Sequence, residues 1–206
     1  MTIENTKKQY FTRIEICGGI ASGKTTFASL LSQLGLTPIY ESFQSNPFWE
    51  AFYTEPVKYN FETEICFMLL HYHQIKKLNP EVKKIVCDYS FLLDRAYAEI
   101  GLKDSQLNTF LTLYKEIEKE LPPPALIIHL QCNTGTELER IRKRGRSVEE
   151  YIDIGFLDSL NKAVELEIKK INHQVKVLTI DSAQKNFAHN VHIAQEMVQL
   201  IAHALV

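Results

Sequence analysis

The chain contains 206 residues, of which 45% are hydrophobic and 23% are charged. A chain of this length and composition can bury a sizeable core, which excludes disordered, collagen-like and disulfide-scaffold proteins and predicts a single domain over residues 1–206. The 23 basic and 25 acidic residues leave a net charge of −2, so we expect no nucleic-acid partner held by a general electrostatic field.

Apolar segments rich in β-formers alternate with segments of helical period. The predicted strands cover residues 11–18, 37–41, 84–88, 125–131 and 176–180. The predicted helices cover residues 24–35, 60–78, 91–101, 105–121, 136–143, 154–172 and 187–204, with Asn79-Pro80 ending the second. Because such strands pair in parallel through right-handed crossovers, we expect an α/β fold with a five-stranded parallel sheet flanked by helices.

A phosphate-binding loop is predicted between the first strand and the first helix. Residues 18–25 read Gly-Gly-Ile-Ala-Ser-Gly-Lys-Thr, which matches the P-loop pattern in the context that the pattern requires. Backbone N–H groups of such a loop converge on phosphate oxygens, Lys24 reaches the β- and γ-phosphates, and the Thr25 hydroxyl binds Mg²⁺. We therefore predict a nucleoside triphosphate, ATP or GTP, with Mg²⁺. The predicted nucleotide-binding residues are Gly18, Gly19, Ile20, Ala21, Ser22, Gly23, Lys24, Thr25 and Thr26.

Arginine is scarce in the first half of the chain and clustered in the second. Between Thr26 and Ala125 the only arginine is Arg95, whereas four of the six arginines fall within residues 140–146. The first half instead carries acidic and aromatic residues: Glu41, Tyr53, Tyr59, Glu64, Asp88, Tyr89 and Asp94. Carboxylates repel a phosphorylated acceptor but can accept a proton from a neutral hydroxyl, so we predict an uncharged alcohol as the phosphoryl acceptor.

Three further motifs complete a pattern that resembles the deoxynucleoside kinase family, closest to its bacterial members. Glu41 is followed five residues later by Asn46-Pro47, residues 53–56 read Tyr-Thr-Glu-Pro, similar to the family's Tyr-x-Asp-Pro, and residues 139–150 are similar to its arginine-rich lid. The resemblance covers nearly the whole chain. It implies a P-loop NTPase fold and an ATP-dependent kinase that phosphorylates the 5′-hydroxyl of a deoxynucleoside in nucleotide salvage.

The same resemblance implies roles for several acidic residues. Glu41 and Asp88 surround the 5′-hydroxyl, with Glu41 the first candidate for the general base. Asp88 remains open as an alternative base, a ligand on the Mg²⁺ side or a helix cap. Tyr53 and Glu149 match positions that hold the sugar 3′-hydroxyl, with Glu150 as the alternative to Glu149.

The arginines are expected to stabilise the transferred phosphoryl group. Asp88-Tyr89-Ser90 departs from the family's acidic-Arg-Ser motif, so the arginine expected near the 5′-oxygen is missing. Arg95 matches a second family arginine, which we expect to act together with Arg140 and Arg144 of the lid. Arg142 and Arg146 are assigned to ATP.

The base-reading glutamine of the family is replaced by a glutamate, at Glu64 by spacing or at Glu62 by local pattern. An ionised carboxylate offers only acceptors and complements N1–H and N2–H of guanine, which predicts a guanine-tolerant or purine-preferring site. At the far end of the base pocket, His71 and Asp94 match a family Arg–Asp pair. His71 is either part of such a pair or an ordinary helix-surface histidine.

Two other functions remain open at this stage: a P-loop kinase for another small acceptor, and a non-catalytic nucleotide-binding regulator. No apolar run approaches the roughly 18 residues of a membrane span, so we expect a cytoplasmic protein without a membrane partner. Family members are commonly dimers, and one face of the 60–78 helix is predicted as either a homodimer surface or intramolecular core. That face comprises Phe61, Ile65, Met68, Leu69, Tyr72 and Ile75.

Overall fold

The computed structural model describes residues 12–79, 81–171 and 173–205. Five strands form one sheet: β1 (Thr12–Cys17), β2 (Thr37–Ile39), β3 (Lys84–Cys87), β4 (Leu126–Gln131) and β5 (Val177–Asp181). Neighbouring strands pair in parallel in the order β2-β3-β1-β4-β5. The predicted α/β fold with a five-stranded parallel sheet is therefore confirmed.

Eight α-helices connect and cover the strands within the described ranges. They are α1 (Lys24–Leu30), α2 (Trp49–Thr54), α3 (Pro56–Lys76), α4 (Phe91–Gly101), α5 (Asp104–Glu120), α6 (Thr134–Arg144), α7 (Ile154–Ile171) and α8 (Val191–Ala204). Short 3₁₀ segments cover Leu31–Leu34, Phe43–Ser45 and Ser147–Glu149. None of the described helices is long and apolar enough to cross a membrane.

Most helix bounds agree with the sequence prediction, and the differences have local causes. Helix α3 begins four residues early because Pro56 occupies its first turn, where proline's missing N–H is no loss. Helix α8 begins four residues late because the Asn190 side chain caps it by accepting from two backbone N–H groups. Helix α2 was not predicted, since its six residues are too few to show a period. The predicted boundaries at Phe11, Pro80 and Asn172 lie outside the described residues.

The apolar face predicted on α3 is mostly intramolecular core. Met68 and Ile75 are buried, and Phe61, Ile65 and Tyr72 pack against the same cluster. The inclusion of Leu69 was wrong, because it is 46% exposed. It follows Met68 by one residue, which turns its side chain about 100° around the helix away from the core. A homodimer stays a prediction.

The strand order brings three chain segments to one edge of the sheet. The chain leaves β1 for β2 at one side, returns to β3 beside β1, and then crosses to β4 on the other side of β1. Parallel strands end at the same edge, and the point where the order reverses is where open α/β sheets bind ligands. The P-loop after β1, Glu41 after β2 and Asp88 after β3 therefore lie close together.

Candidate active site

The P-loop is a tight turn whose glycines are required by backbone angle and by close packing. Gly18 and Gly23 have φ angles of 145° and 102°, in the region that disfavours residues with a Cβ atom. A Cβ atom on Gly19 would overlap the side chains of Glu137 and Asn161. Lys24 Nζ donates to the carbonyls of Gly18 and Gly19, at 3.0 and 2.9 Å, and so spans the loop from inside.

A cavity of about 490 Å³ opens beside this loop at the carboxyl ends of the strands. Helices α2, α3 and α4 form its far wall, and the segment after α6 forms its rim. The predicted site residues that line it are Ile20, Ala21, Gly23, Lys24, Thr25, Thr26, Glu41, Tyr53, Glu64, Asp88, Asp94, Arg140, Arg144, Arg146 and Glu149. Residues from eight separate segments of sequence thus share one cavity.

The two candidate bases are joined by a hydrogen bond. The backbone N–H of Glu41 donates to Oδ1 of Asp88 at 2.6 Å, and the N–H of Asp88 donates to the Ile39 carbonyl at 3.1 Å. Burial raises the pKa of Asp88, and hydrogen bonds from Thr25 and from the Glu41 backbone offset only part of that rise. Burial also acts to raise the pKa of Glu41, but His71, Lys24 and other nearby cations outweigh it and lower this pKa, which favours the ionised form.

The P-loop side of the cavity fits a nucleoside triphosphate with a hard cation. Burial lowers the pKa of Lys24, while Glu41, Asp88 and Glu137 act against that shift and favour the ammonium form. Thr25 presents an exposed hydroxyl beside the Asp88 carboxylate. Hydroxyl and carboxylate oxygens are ligands that Mg²⁺ accepts, so the donor set suits the predicted role of Thr25.

Three carboxylates, Glu41, Glu64 and Asp94, line the cavity near the buried imidazole of His71. His71 Nδ1 is 2.9 Å from Asp94, and His71 Nε2 is 3.3 Å from Glu41. Glu64 is 3% exposed and has no such partner, whereas Glu62 is exposed, so spacing identified the cavity residue and the local pattern did not. Burial raises the pKa of Glu64 well above its usual value, Asp94 and Glu41 add to the rise, and His71 opposes it. The structure thus favours the protonated form of Glu64, whereas the base prediction was argued from the ionised form.

His71 is neither a surface histidine nor part of the cavity wall. It is 1% exposed and lies behind Glu41 and Asp94, with its ring stacked on Tyr89 at a centroid distance of 4.0 Å. Direct contact between His71 and a ligand in the cavity is thus blocked by the two carboxylates it pairs with.

Glu149 joins the arginine-rich segment to the acceptor side of the cavity. It is 3% exposed, and its carboxylate pairs with Arg144 and, at 3.2 Å, with Arg146. Tyr53 lies close enough for the Glu149 charge to raise its pKa, after the larger effect of burial. Since Glu150 is exposed, Glu149 is the residue of the two that enters the cavity.

The arginines separate into different environments. Arg140 donates to the carbonyls of Ala21 and Ser182, at 3.2 and 2.7 Å, and so ties the P-loop to the segment after β5. Arg146 stacks over Phe43 at 4.3 Å from the ring centroid. Arg142 is exposed on α6 and does not line the cavity, because it lies on the outer side of that helix.

Arg95 lies away from this site, contrary to its predicted catalytic role. Its guanidinium is 3.0 Å from the buried carboxylate of Glu167 on α7, and it lines a separate cavity of about 230 Å³. On α4, Asp94 faces the main cavity, and the next residue points about 100° away from it.

Several residues of the site carried no signal in the sequence. Phe43, Trp49, Phe52 and Tyr97 contribute aromatic walls, and the rings of the first two lie 4.6 Å apart at an interplanar angle of 50°. Glu137 of α6 is fully buried beneath the P-loop and accepts a hydrogen bond from Asn161 at 2.9 Å. Burial raises the pKa of Glu137 to about 7. The side chains of these site residues come together only because distant helices pack against one another, and short sequence motifs do not predict such packing.

Comparison with known proteins gives consistent results. A sequence model of the family described as deoxynucleoside kinase matches residues 14–206. The chain is 32% identical to the deoxyguanosine kinase of Bacillus subtilis (strain 168) over 185 residues, which are 86% of this chain and 89% of that protein. It is 30% identical to the deoxyadenosine kinase of Dictyostelium discoideum over 176 residues, 82% of this chain and 72% of that protein.

The fold is also similar to solved structures. A deoxyadenosine kinase from M. mycoides with the products dCMP and a flexible dCDP bound superposes with a TM-score of 0.79. That comparison covers 95% of this chain and all of the other, at 24% identity. The same enzyme with dATP bound gives a TM-score of 0.73, also at 24% identity.

Proposed function

The chain belongs to the deoxynucleoside kinase family, whose members are ATP-dependent phosphotransferases, and on this basis we propose that its acceptors are purine deoxynucleosides, with deoxyguanosine preferred. The reaction is transfer of the ATP γ-phosphoryl group to the 5′-hydroxyl. The curated relatives that share 30% identity or more are named for deoxyguanosine or deoxyadenosine. Their names support a purine acceptor.

The observation that supports the base preference is that Glu64 is buried near the carboxylates of Asp94 and Glu41. Its nearest cation, His71, is already paired with Asp94 and Glu41, which favours a protonated Glu64. A neutral carboxyl group has one donor and one acceptor. It complements O6 and N1–H of guanine, or N1 and N6–H₂ of adenine, whereas the ionised form still accepts from N1–H and N2–H of guanine. Guanine is thus accommodated in both protonation states, and adenine in only one.

The roles at the reacting end follow from the pKa directions and the contacts. Glu41 is the general base, since its lowered pKa leaves it ready to accept the 5′-hydroxyl proton. Asp88 holds the Glu41 backbone and contacts the Thr25 hydroxyl. Lys24 and the nearby Arg140 and Arg144 stabilise negative charge on the transferring group.

Mg²⁺ is proposed with Thr25 as its protein ligand. When bound, MgATP supplies the phosphoryl group and part of the charge neutralisation. Backbone N–H groups of residues 18–26 then orient the phosphates, and the cavity wall shields the transfer from water. Arg146 is kept as an ATP contact. Arg142 is not kept as an ATP contact and Arg95 is not kept as a catalytic residue, because neither lines the cavity.

We further propose that residues 1–206 are one kinase domain in which residues 139–150 form a lid. Glu149 and Tyr53 hold the 3′-hydroxyl, which couples acceptor binding to the arginines that Glu149 pairs with. Closure then requires both substrates, which prevents hydrolysis of ATP by water.

The experiment is a steady-state assay of the purified protein with MgATP and each of the four deoxynucleosides. We expect the highest kcat/KM for deoxyguanosine, then deoxyadenosine, with both pyrimidines lower. A pyrimidine with a kcat/KM above that of either purine would contradict the preference. In Glu64→Leu both purines should lose at least about 10-fold in kcat/KM, because the hydrogen bonds to the base edge are removed.

A further inference from the structure

His71 lies between two carboxylates of the cavity wall without reaching the cavity. Its Nδ1 atom is 2.9 Å from Oδ2 of Asp94, and its Nε2 atom is 3.3 Å from Oε1 of Glu41. Both ring nitrogens must carry a proton if each is to face a carboxylate favourably, so this placement requires an imidazolium. Burial disfavours the charged ring, but Asp94 and Glu41 outweigh burial and raise the pKa of His71 to about 10.

The orientation of the imidazole is fixed by Tyr89. The two rings stack with an interplanar angle of 8°, and the Tyr89 hydroxyl donates to the backbone carbonyl of His71 at 3.3 Å. Both side chains are almost completely buried. The ring therefore has little freedom to turn, and its Nε2 atom stays 3.3 Å from the Glu41 carboxylate, within ion-pair distance but without a hydrogen bond between the two.

The other cations near Glu41 are engaged elsewhere. Lys24 donates to two P-loop carbonyls, and Arg146 pairs with Glu149. Among the described residues, His71 is the cation that lies within ion-pair distance of the Glu41 carboxylate. Glu41 is also fixed at its backbone by Asp88, and the contact of its carboxylate with a cation is the ion pair with His71.

We propose that His71 is a positioning residue for phosphoryl transfer: held between Asp94 and Tyr89, it fixes the Glu41 carboxylate in the orientation that accepts the 5′-hydroxyl proton. The inference rests on the proposed role of Glu41 as general base. As the proton passes to Glu41, the 5′-oxygen bonds to the γ-phosphorus and the bond from that phosphorus to the bridging oxygen breaks, with the electron pair leaving on ADP. His71 keeps its proton throughout.

This role accounts for the tyrosine that stands after Asp88. The Tyr89 side chain is uncharged, but its ring orients the imidazolium of His71, which lies on α3.

The test compares kcat in variants that keep the buried charge balanced. His71→Gln alone leaves Asp94 and Glu41 facing each other without a cation and is expected to destabilise the fold. The double variant His71→Gln/Asp94→Asn removes one positive and one negative charge, and Asp94→Asn alone is its reference. His73→Gln, an exposed histidine on the same helix, is the matched control and should keep wild-type kinetics.

We expect kcat of the double variant to be at least about 10-fold below that of Asp94→Asn. A well-placed general base contributes about 10²–10⁴-fold to the rate, and misplacing its carboxylate should remove part of that contribution. The Kd for the deoxynucleoside, measured by calorimetry without ATP, should agree within about threefold between these two variants. Because a structural role or base recognition would change Kd as well, this separation of kcat from Kd is the decisive readout.

Two outcomes would overturn the inference. One is equal kcat in the double variant and in Asp94→Asn. The other is an unchanged kcat with a weaker Kd that depends on the base, which would make His71 a recognition residue. Failure of the underlying proposal has a different signature, because Glu41→Gln would then retain kcat whatever stands at position 71.

Discussion

The backbone N–H of Glu41 donates a hydrogen bond of 2.6 Å to Oδ1 of Asp88, which fixes two carboxylates from neighbouring strand ends relative to one another. Asp88 uses its carboxylate to hold the backbone of Glu41, whereas the Glu41 carboxylate lines the cavity at 3.3 Å from His71. The two are therefore not interchangeable, although their positions in the sequence do not distinguish them.

Replacing Glu41 by glutamine should lower kcat by at least about 100-fold, since an amide cannot accept the 5′-hydroxyl proton. The KM for ATP should change by less than about threefold, because the P-loop is untouched. Steady-state kinetics with varied ATP measures both. Asp88→Asn is the comparison: it should lower kcat and raise the KM for ATP together. Full kcat in Glu41→Gln would transfer the base role to Asp88.

The preference between the two purines should depend on pH through Glu64. The raised pKa means that the carboxyl group is neutral at low pH and ionises as the pH rises through that value. Ionisation removes the donor that adenine N1 needs and leaves guanine two acceptors. The ratio of kcat/KM for deoxyguanosine to that for deoxyadenosine should therefore increase with rising pH. In Glu64→Gln, which cannot ionise, the ratio should stay constant; a ratio that still rises would assign the effect to another group.

The role of Tyr53 and Glu149 can be tested with 2′,3′-dideoxynucleosides, which lack the 3′-hydroxyl. Wild-type protein should favour the deoxynucleoside over its dideoxy analogue by roughly 10²-fold or more, because polar groups of the site are otherwise left unpaired. Tyr53→Phe and Glu149→Gln should each reduce this discrimination by about 10-fold, to be measured as a ratio of kcat/KM values. Glu150→Gln, at the exposed neighbouring position, should leave it unchanged. Undiminished discrimination in both site variants would rule out the assignment.

A methyl group at Gly19 should disturb the P-loop because Glu137 and Asn161 occupy the space it needs. We expect Gly19→Ala to lower the free energy of unfolding by about 1–3 kcal/mol and to weaken ATP binding, since the loop must shift. Urea denaturation and nucleotide titration measure the two effects. Gly135→Ala is the matched control: its added methyl would meet only Asn133 at 3.4 Å, so its stability should be equal or slightly higher. A stable Gly19→Ala variant with normal ATP affinity would contradict the close packing beneath the loop.

The elements that sequence predicted well are those with a local physical cause. Strand β1 and the P-loop follow from an apolar run and a glycine pattern, and helix α4 was predicted with the bounds it has, since Ser90 caps its first turn. Helix α2 was missed because six residues show no period. Leu69 was placed on the same face as Met68 and Ile75 but is exposed, because periodicity gives a face of the helix without giving the width of its buried part.

The residues of the site show the same distinction between features with a local cause and features that depend on tertiary packing. Lys24, Thr25, Glu41 and Asp88 were assigned from motif and spacing, and all four line one cavity. Arg95 follows Asp94 directly in sequence, yet it pairs with Glu167 on the opposite side of α4. Adjacent residues on a helix face different surroundings. Spacing along the chain therefore could not show that Asp94 lines the cavity and that Arg95 does not.

The sequence by itself determined the parallel α/β architecture, the phosphate-binding loop and the family, because each depends on residues close together in the chain or on an order of motifs that is preserved along it. The tertiary structure alone decided how the charges of the acceptor pocket are shared. His71 pairs with Glu41 and Asp94, and burial raises the pKa of Glu64, since the protonation of each buried group depends on neighbours contributed by other elements.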